Sequence, residues 1–450
     1  MATKVKTVYF CRECGASQPK WTGRCPECGA WNTMVEEKVT RKSPSAVRSA
    51  AREPQALGRS TFPSKQRLTT GIDEFDRVVG GGLVAGSVVL IGGEPGIGKS
   101  TIILQILQKL PGSKFLYFSG EESEEQIQLR ADRLAVHDER IWLSCENNLE
   151  NILHQTELHA PQVVVVDSIQ TMYSEDFDNV PGSVTQVREC AGKLQRKAKE
   201  EGIVMILIGH ITKSGMIAGP KVLEHLVDTV LYLEGAQYNF FRVLRSIKNR
   251  FGSTNEVGIF EMKDKGLIAV SNPSYVFLSE RREHVPGSAI AVSMEGTRPF
   301  LIEIQALVTQ TSYGTPQRTA NGMDYRRLTM LNAVLEKRVG LPLGSQDIFV
   351  NLVGGLKIDE PAIDLAVVAA LASSFKNIPI DPIAALIGEV GLVGEVRSAP
   401  FIEQRVMEAA KLGYRKIFLP KNNIKMLKKP ADTELIGVDS IGHLLNILLK

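Results

Sequence analysis

The sequence of 450 residues predicts an α/β protein whose core is a mostly parallel sheet. Apolar runs alternate with amphipathic stretches from Leu68 to about Val270, which is typical of strands and the helices that cover them. A glycine-rich phosphate-loop motif follows one of these apolar runs at Gly93. Four of the six cysteines fall within the first thirty residues, which indicates a separate small module before the sheet.

Composition along the chain divides it into four segments. Residues 1–35 hold the clustered cysteines, and residues 36–66, rich in Ser, Pro, Ala and Arg, are expected to form a flexible basic linker. Residues 67–271 form the nucleotide-binding domain, and residues 272–450 form a third domain of mixed α and β structure. Eight cations against one acid between residues 38 and 67 fit either a solvated tether or a weak attraction to phosphate backbones.

Hydrophobic periodicity predicts the individual elements. Strands are expected at 88–93, 114–118, 140–144, 162–167 and 203–209, and helices at 99–110, 123–135 and 184–201. Residues 228–263 indicate further strands in succession. In the third domain, IAVSMEGTRPFLIEIQALV predicts paired strands, RRLTMLNAVLEKRVG predicts a helix ended by Gly340, and IDLAVVAALASSF predicts a buried helix.

Composition and charge exclude several classes of protein. Hydrophobic residues make up 43% and charged residues 23% of the chain, as in ordinary globular proteins, and the net charge is only +3. No apolar run reaches the ~20 residues that span a bilayer. The first residues, MATKVKTVYFCRECG, lack the apolar stretch of a secretory signal. We therefore expect a cytoplasmic protein without a membrane partner.

The phosphate-loop motif is the strongest functional signal. The stretch VVLIGGEPGIGKSTIILQIL contains G-x4-G-K-S between a strand-forming run and a helix-forming run. Glycines let backbone amides face the phosphates, and the helix N-terminus adds positive potential. We expect Lys99 to reach the outer phosphates and Ser100 to ligate Mg²⁺. The predicted ATP-binding residues are Gly93, Glu94, Pro95, Gly96, Ile97, Gly98, Lys99, Ser100 and Thr101.

Acidic residues at the ends of other strands are candidates for metal binding and catalysis. VVVVD places Asp167 at the end of a buried strand, where it would hold Mg²⁺ through water. Glu121 and Glu122 follow the strand expected beside the phosphate-loop strand, and one of them is the candidate general base. His210 ends the strand VMILIGH at the place of a γ-phosphate sensor, although a lone histidine at the end of a strand is more often structural.

The clustered cysteines predict a metal module. Cys11-x2-Cys14 and Cys25-x2-Cys28 are two knuckles that would complete a tetrahedral four-thiolate zinc site. So small a module needs the metal for its stability. Two disulfides or redox cysteines are alternatives that a cytosolic setting disfavours, and an iron–sulfur cluster is a further alternative to zinc. Outside this module, Cys145 and Cys190 are expected to be buried apolar residues.

Taken together, these motifs resemble those of the bacterial RadA (Sms) family of RecA-related DNA repair ATPases. The resemblance covers essentially the whole chain and rests on the four-cysteine finger, TGIDEFDRVVGGGLVAGS leading into GGEPGIGKST, KNRFG at 248–252, and the C-terminal domain. It implies a RecA-like P-loop ATPase core. It also implies hexameric rings with ATP between subunits, binding of single-stranded and branched DNA, branch migration of recombination intermediates, and cooperation with the RecA recombinase.

The KNRFG motif has the chemistry of a catalytic finger. The resemblance, together with the two cations, implies that Lys248 or Arg250 reaches the γ-phosphate bound by a neighbouring subunit. Contact with DNA phosphate is the alternative role. The segments 171–183 and 212–225 occupy the positions of central DNA-binding loops in RecA-like rings, where Lys213 and Lys221 would touch the DNA backbone.

The C-terminal domain resembles the proteolytic domain of Lon but lacks its serine–lysine dyad. The position after Pro361, where Lon carries its serine, holds Ala362, and Lon's lysine position falls near Glu403. The domain is therefore expected to be an inactive α+β scaffold of the ring. The candidates for a basic DNA-binding face on this domain are Arg397, Arg405, Lys411, Arg415 and Lys416.

Two other functions are compatible with parts of the sequence. The GGGL-x2-G stretch and the Glu121-Glu122 pair also resemble KaiC-like ATPases, which would make the chain a nucleotide-gated regulatory scaffold. The zinc finger and KNRFG argue against this. An ATP-dependent protease is the third possibility, which the missing dyad disfavours.

Overall fold

The computed structural model describes residues 6–11, 16–39, 67–210, 222–235, 241–270, 272, 274, 278, 281–311, 314–354, 357–425, 427 and 430–450. The chain divides into two compact units, Met1–Gly235 with Phe240–Val270 and Ala236–Asn239 with Ser271–Lys450. Within the described ranges, no helix is both long and apolar enough to cross a bilayer.

The first unit is built on a nine-stranded sheet and two small antiparallel sheets. Its strands are β1 (Lys6–Cys11), β2 (Ser17–Gln18), β3 (Met34–Val39), β4 (Arg67–Leu68), β5 (Leu83–Val84), β6 (Val88–Gly93), β7 (Phe115–Ser119), β8 (Ile141–Ser144), β9 (Val163–Asp167), β10 (Val204–His210), β11 (Thr229–Glu234), β12 (Phe241–Asn249), β13 (Val257–Lys263) and β14 (Gly266–Ala269). Its helices are α1 (Asp73–Val79), α2 (Lys99–Lys109), α3 (Glu124–Arg133), α4 (Leu149–His159), α5 (Val184–Glu201) and α6 (Val222–Leu226), with a 3-10 turn at Ile169–Thr171.

The large sheet has the order β14-β13-β12-β11-β6-β10-β9-β7-β8. The six strands from β11 to β8 pair in parallel, whereas β12, β13 and β14 extend the sheet in antiparallel fashion. Strands β1, β2 and β3 form the N-terminal sheet, and β4 pairs with β5. The predicted α/β core with a mostly parallel sheet is therefore confirmed.

Apolar residues on alternate sides of each parallel strand explain why helices cover both faces. Val89 and Ile91 of β6 pack in one core with α1, α2 and α3. Val88 and Leu90 of the same strand pack in the other core with α4, α5 and α6. Because successive side chains of a strand point to opposite faces, a wholly apolar strand must be buried on both sides.

The second unit is a mixed α and β domain. Its strands are β15 (Ser288–Glu295), β16 (Arg298–Gln310), β17 (Arg318–Asn321), β18 (Gln346–Leu352), β19 (Ala384–Leu386), β20 (Glu389–Val390), β21 (Val396–Arg397), β22 (Lys416–Pro420) and β23 (Glu434–Val438). Its helices are α7 (Tyr325–Val334), α8 (Asp364–Lys376), α9 (Ile402–Lys411), α10 (Lys421–Ile424) and α11 (Ile441–Leu448). A π-helix at Leu335–Val339 continues α7, and 3-10 turns lie at Leu343–Ser345 and Pro361–Ile363.

Seven of these strands form one sheet in the order β17-β18-β16-β15-β19-β22-β23. The predicted paired strands are β15 and β16, which are antiparallel neighbours. The predicted helix ending at Gly340 is α7 with its π-helical turn, and Gly340 closes it in the left-handed conformation at φ 77°. The apolar helix α8 is buried along residues 364–373, as its composition predicts.

Two expectations about single residues are wrong. Cys145 is exposed, because it follows β8 at the edge of the sheet, whereas Cys190 is buried as predicted. Arg405 is fully buried and ion-paired with Glu360, so it belongs to no basic surface. Its guanidinium also donates to the carbonyls of Val292 and Pro400, which compensates for its loss of water.

Candidate functional site

The candidate site lies where four parallel strands end together. In the sheet, Gly93 of β6 is opposite His210 of β10, and Ser119 of β7 is opposite Asp167 of β9. The carboxyl ends of parallel strands meet at one edge of a sheet, which is where open α/β proteins bind ligands. The register therefore brings residues that are far apart in the sequence to one edge.

Lys99 begins α2 and folds back over the loop that precedes it. Its ammonium donates to the carbonyls of Gly93 and Glu94, each at 2.9 Å, and the residue is only 5% exposed. Burial lowers the pKa of Lys99 to about 8, against the opposing attraction of Asp167 and Glu121. The ammonium thus lies inside the curl of the loop, where a polyphosphate would be held.

Backbone geometry explains why two positions of the loop require glycine. Gly98 adopts φ 112°, a left-handed conformation that favours glycine and directs the loop into the helix. At Gly93, a Cβ would lie 2.7 Å from the carbonyl oxygen of Leu233, so a side chain there has no room. Both positions therefore favour glycine, as a loop that turns its backbone amides toward a phosphate does.

Ser100 and Asp167 form the candidate magnesium pair. The Ser100 hydroxyl donates to Asp167 Oδ2 at 2.7 Å, and the phenol of Tyr117 donates to the same oxygen at 2.5 Å. Burial raises the pKa of Asp167, and these two hydrogen bonds oppose that change. A hydroxyl and a carboxylate side by side are the oxygen donors that Mg²⁺ prefers, so the residues fit the ion.

The two adjacent glutamates have different partners. Glu122 is held by Arg130 in a bidentate ion pair, with N–O distances of 2.6 and 2.5 Å. Glu121 instead accepts a hydrogen bond from Ser168 Oγ at 2.5 Å and lies 3.0 Å from His210 Nε2. Since Glu122 is committed to Arg130, Glu121 is the carboxylate that faces the loop and the end of β10.

His210 connects Glu121 to the phosphate loop. Its Nδ1 lies 3.3 Å from the Lys99 ammonium, and its Nε2 contacts the Glu121 carboxylate. The ring therefore lies between the lysine expected at the outer phosphates and the candidate base. Lys213 and Lys221, in the segment after this histidine, lie outside the described residues.

Lys248 and Arg250 occupy different environments within KNRFG. The Lys248 ammonium donates to the carbonyls of Glu224, His225 and Val227 at 2.7, 3.3 and 2.8 Å, and so binds the C-terminal end of α6. Arg250 has a side chain that is 52% exposed and lies 3.5 Å from the Asp228 carboxylate. Of the two cations, Arg250 is therefore the one available to a second molecule.

The KNRFG turn is anchored on the glycine-rich stretch before the phosphate loop. A Cβ on Gly252 would lie 3.0 Å from the Cα of Gly80, so the two backbones are in direct contact. Arg67 donates to the carbonyl of Phe251 at 2.7 Å, and the Asn249 side chain accepts from the Phe251 amide at 2.9 Å. These contacts define the position of the turn that carries Arg250.

The loop 171–183 is held in place by α5. Gln186 is 1% exposed, and its amide donates to the carbonyls of Ser174, Phe177 and Asn179. Lys193 binds the same loop through Asp176 at 2.7 Å. The loop carries acids and no Lys or Arg, so direct attraction to DNA phosphate has no support from its own charges.

Three of the four predicted zinc ligands converge in the N-terminal sheet. The sulfurs of Cys11, Cys25 and Cys28 all lie within 4.8 Å of one another. Cys14 lies outside the described residues. Three converging thiols offer the soft donors that Zn²⁺ prefers, so the chemistry of this cluster fits the ion.

The C-terminal domain has an alanine where Lon has its nucleophile. Ala362 is buried within the 3-10 turn at Pro361–Ile363, and Glu403 is exposed on α9. Near the alanine, Glu360 pairs with the buried Arg405. No dyad chemistry is available from these residues. On the suggested basic face, Arg397 pairs with Glu395 and Lys416 with Asp381, which reduces its net charge further.

Sequence reasoning missed three residues that contact the site. Tyr117 donates a hydrogen bond to Asp167, and Ser168 donates one to Glu121. Arg130 forms an ion pair with Glu122, which leaves Glu121 as the candidate base. The signal for Tyr117 was available, because a tyrosine in the wholly buried strand FLYFS must find a partner for its hydroxyl. Ser168 and Arg130 carry no comparable signal in the sequence.

Comparison with protein families finds a match for three segments of the chain. The rubredoxin metal binding domain matches residues 9–36, the AAA domain matches residues 53–216, and subunit ChlI of Mg-chelatase matches residues 311–423. A solved structure of a KaiC-like protein from Pyrococcus horikoshii OT3 is also similar, at 22% identity and a TM-score of 0.39, covering 46% of this chain and 100% of that one.

Full-length relatives identify the family. The DNA repair protein RadA of Bacillus subtilis (strain 168) is 51% identical, with 99% of each chain covered. The proteins of the same name from Listeria monocytogenes and Streptococcus pyogenes serotype M1 are 50% and 49% identical over at least 98% of each chain. These relatives do not favour a KaiC-like scaffold. With its AAA domain and this full-length similarity, the chain belongs to the RadA family of DNA repair proteins and is an ATP-hydrolysing enzyme.

Proposed function

We propose that the chain is a DNA-dependent ATPase of recombinational repair. It binds single-stranded and branched DNA and drives branch migration of recombination intermediates alongside the RecA recombinase. It works in the cytoplasm as a hexameric ring, with ATP between subunits and a structural zinc ion in its N-terminal finger. The RadA family membership and the arrangement of the phosphate-loop residues support this proposal.

The hydrolytic chemistry follows from the positions of four side chains. Lys99 neutralises the terminal phosphate, and Ser100 with Asp167 would hold a magnesium ion. When bound, that ion would supply positive charge that offsets the negative charge of the phosphates. Glu121 orients the attacking water and accepts its proton, because it lies beside the loop without a dedicated arginine partner. Tyr117 and Ser168 are positioning residues for Asp167 and Glu121.

The observation that carries DNA dependence is the contact path through His210. The ring touches Lys99 on one side and Glu121 on the other, at 3.3 and 3.0 Å. His210 is also the last residue of β10, immediately before the segment 211–221. DNA bound to that segment would shift His210, and His210 would in turn align Glu121 and Lys99 with the γ-phosphate.

The exposed Arg250 supports catalysis across a subunit boundary. Lys248 is held by three carbonyls, so we assign it the role of anchoring the turn, and we assign the trans contact to Arg250. An arginine that stabilises the developing charge on a neighbour's γ-phosphate makes hydrolysis depend on ring assembly. Contact of Arg250 with DNA phosphate is the competing role.

The test measures ATP hydrolysis with and without single-stranded DNA, together with movement of a labelled three-strand junction. The wild-type chain should hydrolyse ATP faster with DNA and should move the junction. His210→Ala should lose most of the DNA stimulation while retaining nucleotide binding. His137→Ala is a matched control, because its side chain is 68% exposed and its ion-pair partner is Asp132, outside this site. Hydrolysis that ignores DNA, with no junction movement, would contradict the proposal.

A further inference from the structure

Two tryptophans of the N-terminal finger are unusually exposed. Trp21 is 56% exposed and Trp31 is 69% exposed. An indole buries a large apolar area when it finds a partner, so solvent exposure of two rings in so small a module is costly unless a ligand uses them. Neither ring contributes to the buried cluster of this sheet, which consists of Cys11, Cys25 and Met34 with Tyr9 and Ala16.

The two rings flank a single glycine. A Cβ on Gly23 would lie 3.6 Å from Cη2 of Trp21 and 3.9 Å from Cζ3 of Trp31, so both rings border the same space. Gly23 carries no side chain into that space. Its carbonyl accepts a hydrogen bond from the Asn32 backbone amide at 2.8 Å. This bond joins the segment that contains Trp21 to the segment that contains Trp31. The rings therefore form a paired aromatic surface.

Cations border this aromatic surface. The Arg24 guanidinium lies 5.8 Å from the centroid of the Trp31 ring, and its Nε donates to the carbonyl of Gly29 at 3.0 Å. Lys20, directly before Trp21, is exposed. Flat aromatic rings beside positive charges match a ligand that has flat bases and negative phosphates.

We propose that Trp21 and Trp31 stack on unpaired bases of single-stranded DNA, while Arg24 and Lys20 attract its phosphates. This is a second DNA contact, separate from the nucleotide-binding core, and it rests on the proposed function. Stacking accepts any base, because every base has a π-face, so the contact reads strand character and not sequence. The finger thereby recognises single-stranded regions of a repair intermediate.

The cysteine cluster determines the geometry of this surface. The Cys25–Cys28 knuckle lies between Arg24 and Trp31, which form an isolated antiparallel bridge. The Cys25 amide donates to the carbonyl of Ala30 at 2.8 Å inside this hairpin. A metal bound by these thiols would hold the knuckle closed and keep the two rings adjacent.

Trp142 provides a matched control in the ATPase core. It is also exposed, at 46%, but Lys114 lies 4.6 Å from its ring centroid and the His159 ring lies 4.9 Å away. Its ring thus has two protein partners of its own. A Trp142→Ala variant controls for the loss of an exposed indole.

The experiment uses the full-length, zinc-loaded chain and two labelled oligonucleotides of equal length, one of thymidines and one abasic. Fluorescence anisotropy measures both affinities, and zinc content verifies the finger. The Trp21→Ala/Trp31→Ala variant should bind the thymidine strand about tenfold more weakly, which corresponds to about 1.4 kcal/mol. Its affinity for the abasic strand and its zinc content should be unchanged, and Trp21→Phe/Trp31→Phe should recover most of the binding.

Several outcomes would overturn this proposal. Unchanged binding of the thymidine strand would assign the aromatic surface to a protein partner. An equal loss on both strands would mean that the substitutions act through the folding of the finger and not through stacking. If the wild-type chain bound neither strand, the proposed function itself would fail. DNA-stimulated hydrolysis that persists in the double-alanine variant would leave the proposed function standing, whatever the result for the finger.

Discussion

The phenol of Tyr117 donates to Asp167 at 2.5 Å, in a strand whose five residues are all buried. Tyr117→Phe removes this donor and keeps the ring. We expect a higher Mg²⁺ requirement for hydrolysis and a loss of stability of about 1 kcal/mol. Magnesium titrations of the ATPase rate and urea unfolding measure both effects. Tyr232→Phe is the control, because its phenol donates to Glu224, outside this cluster.

The two glutamates should respond differently to the same substitution. Glu121→Gln should lower the hydrolysis rate by about 10²–10⁴-fold while ATP still binds, since it removes the proposed base. Glu122→Gln should lower the rate far less, because it mainly weakens the ion pair with Arg130. Single-turnover hydrolysis with separate nucleotide-binding measurements distinguishes them. A larger effect at Glu122 would reverse the assignment.

Lys99→Ala should abolish nucleotide binding or hydrolysis. The buried ammonium lies inside the loop, and a methyl group cannot neutralise a polyphosphate there. Lys109→Ala, at the exposed end of the same helix, is the matched control and should behave as the wild type. Calorimetric titration with ATP gives the result. Turnover retained by Lys99→Ala would disprove the site.

Mixing two inactive variants tests whether Arg250 acts in trans. The Lys99→Ala variant retains Arg250, and the Arg250→Ala variant retains an intact phosphate loop. If Arg250 contacts the nucleotide of the neighbouring subunit, mixed rings should recover part of the ATPase rate. Some subunit interfaces would then combine an intact phosphate loop with an intact Arg250. Assembly of the mixed rings is verified by size-exclusion chromatography. No recovery in verified mixed rings would favour the DNA-phosphate role.

Removal of one thiolate should release the metal of the finger. Cys25→Ser replaces a buried sulfur of the converging cluster, and zinc content measured by mass spectrometry should fall. Cys145→Ser, an exposed cysteine outside the cluster, should keep the full zinc content. Undiminished zinc in Cys25→Ser would contradict the thiolate assignment, and iron in place of zinc would identify a different metal.

The elements of the parallel core could be predicted closely from the sequence, but their order could not, because β7, which was predicted beside β6, is separated from it by β10 and β9. The strand expected at 88–93 and the helix expected at 184–201 agree with β6 and α5, because a wholly apolar run and a strong 3.6-residue period specify these elements locally. The glycine motif likewise identified the loop. In each case the necessary information lies within one short stretch of chain.

Roles that depend on contacts between distant residues could not be predicted. Glu121 and Glu122 are equivalent in the sequence, and only the positions of Ser168, His210 and Arg130 distinguish them. Arg405 was expected at the surface because charge alone indicates solvation, whereas Glu360 pairs with it in the interior. The position of KNRFG also depends on a register shift between Val230 and Leu231 in the pairing of β11 with β12, the strand that contains Lys248. Such a shift could not be predicted from the sequence.

The contact between Gly80 and Gly252 has a consequence for how KNRFG evolves. Since a side chain on either glycine would meet the other backbone at about 3 Å, the two segments constrain each other's sequences. If the pentapeptide alone were transplanted into another ATPase of this fold, it would lack the glycine-rich stretch that positions its arginine. The GGGL stretch and KNRFG are thus expected to be inherited together, because they form one contact although some 170 residues of chain separate them.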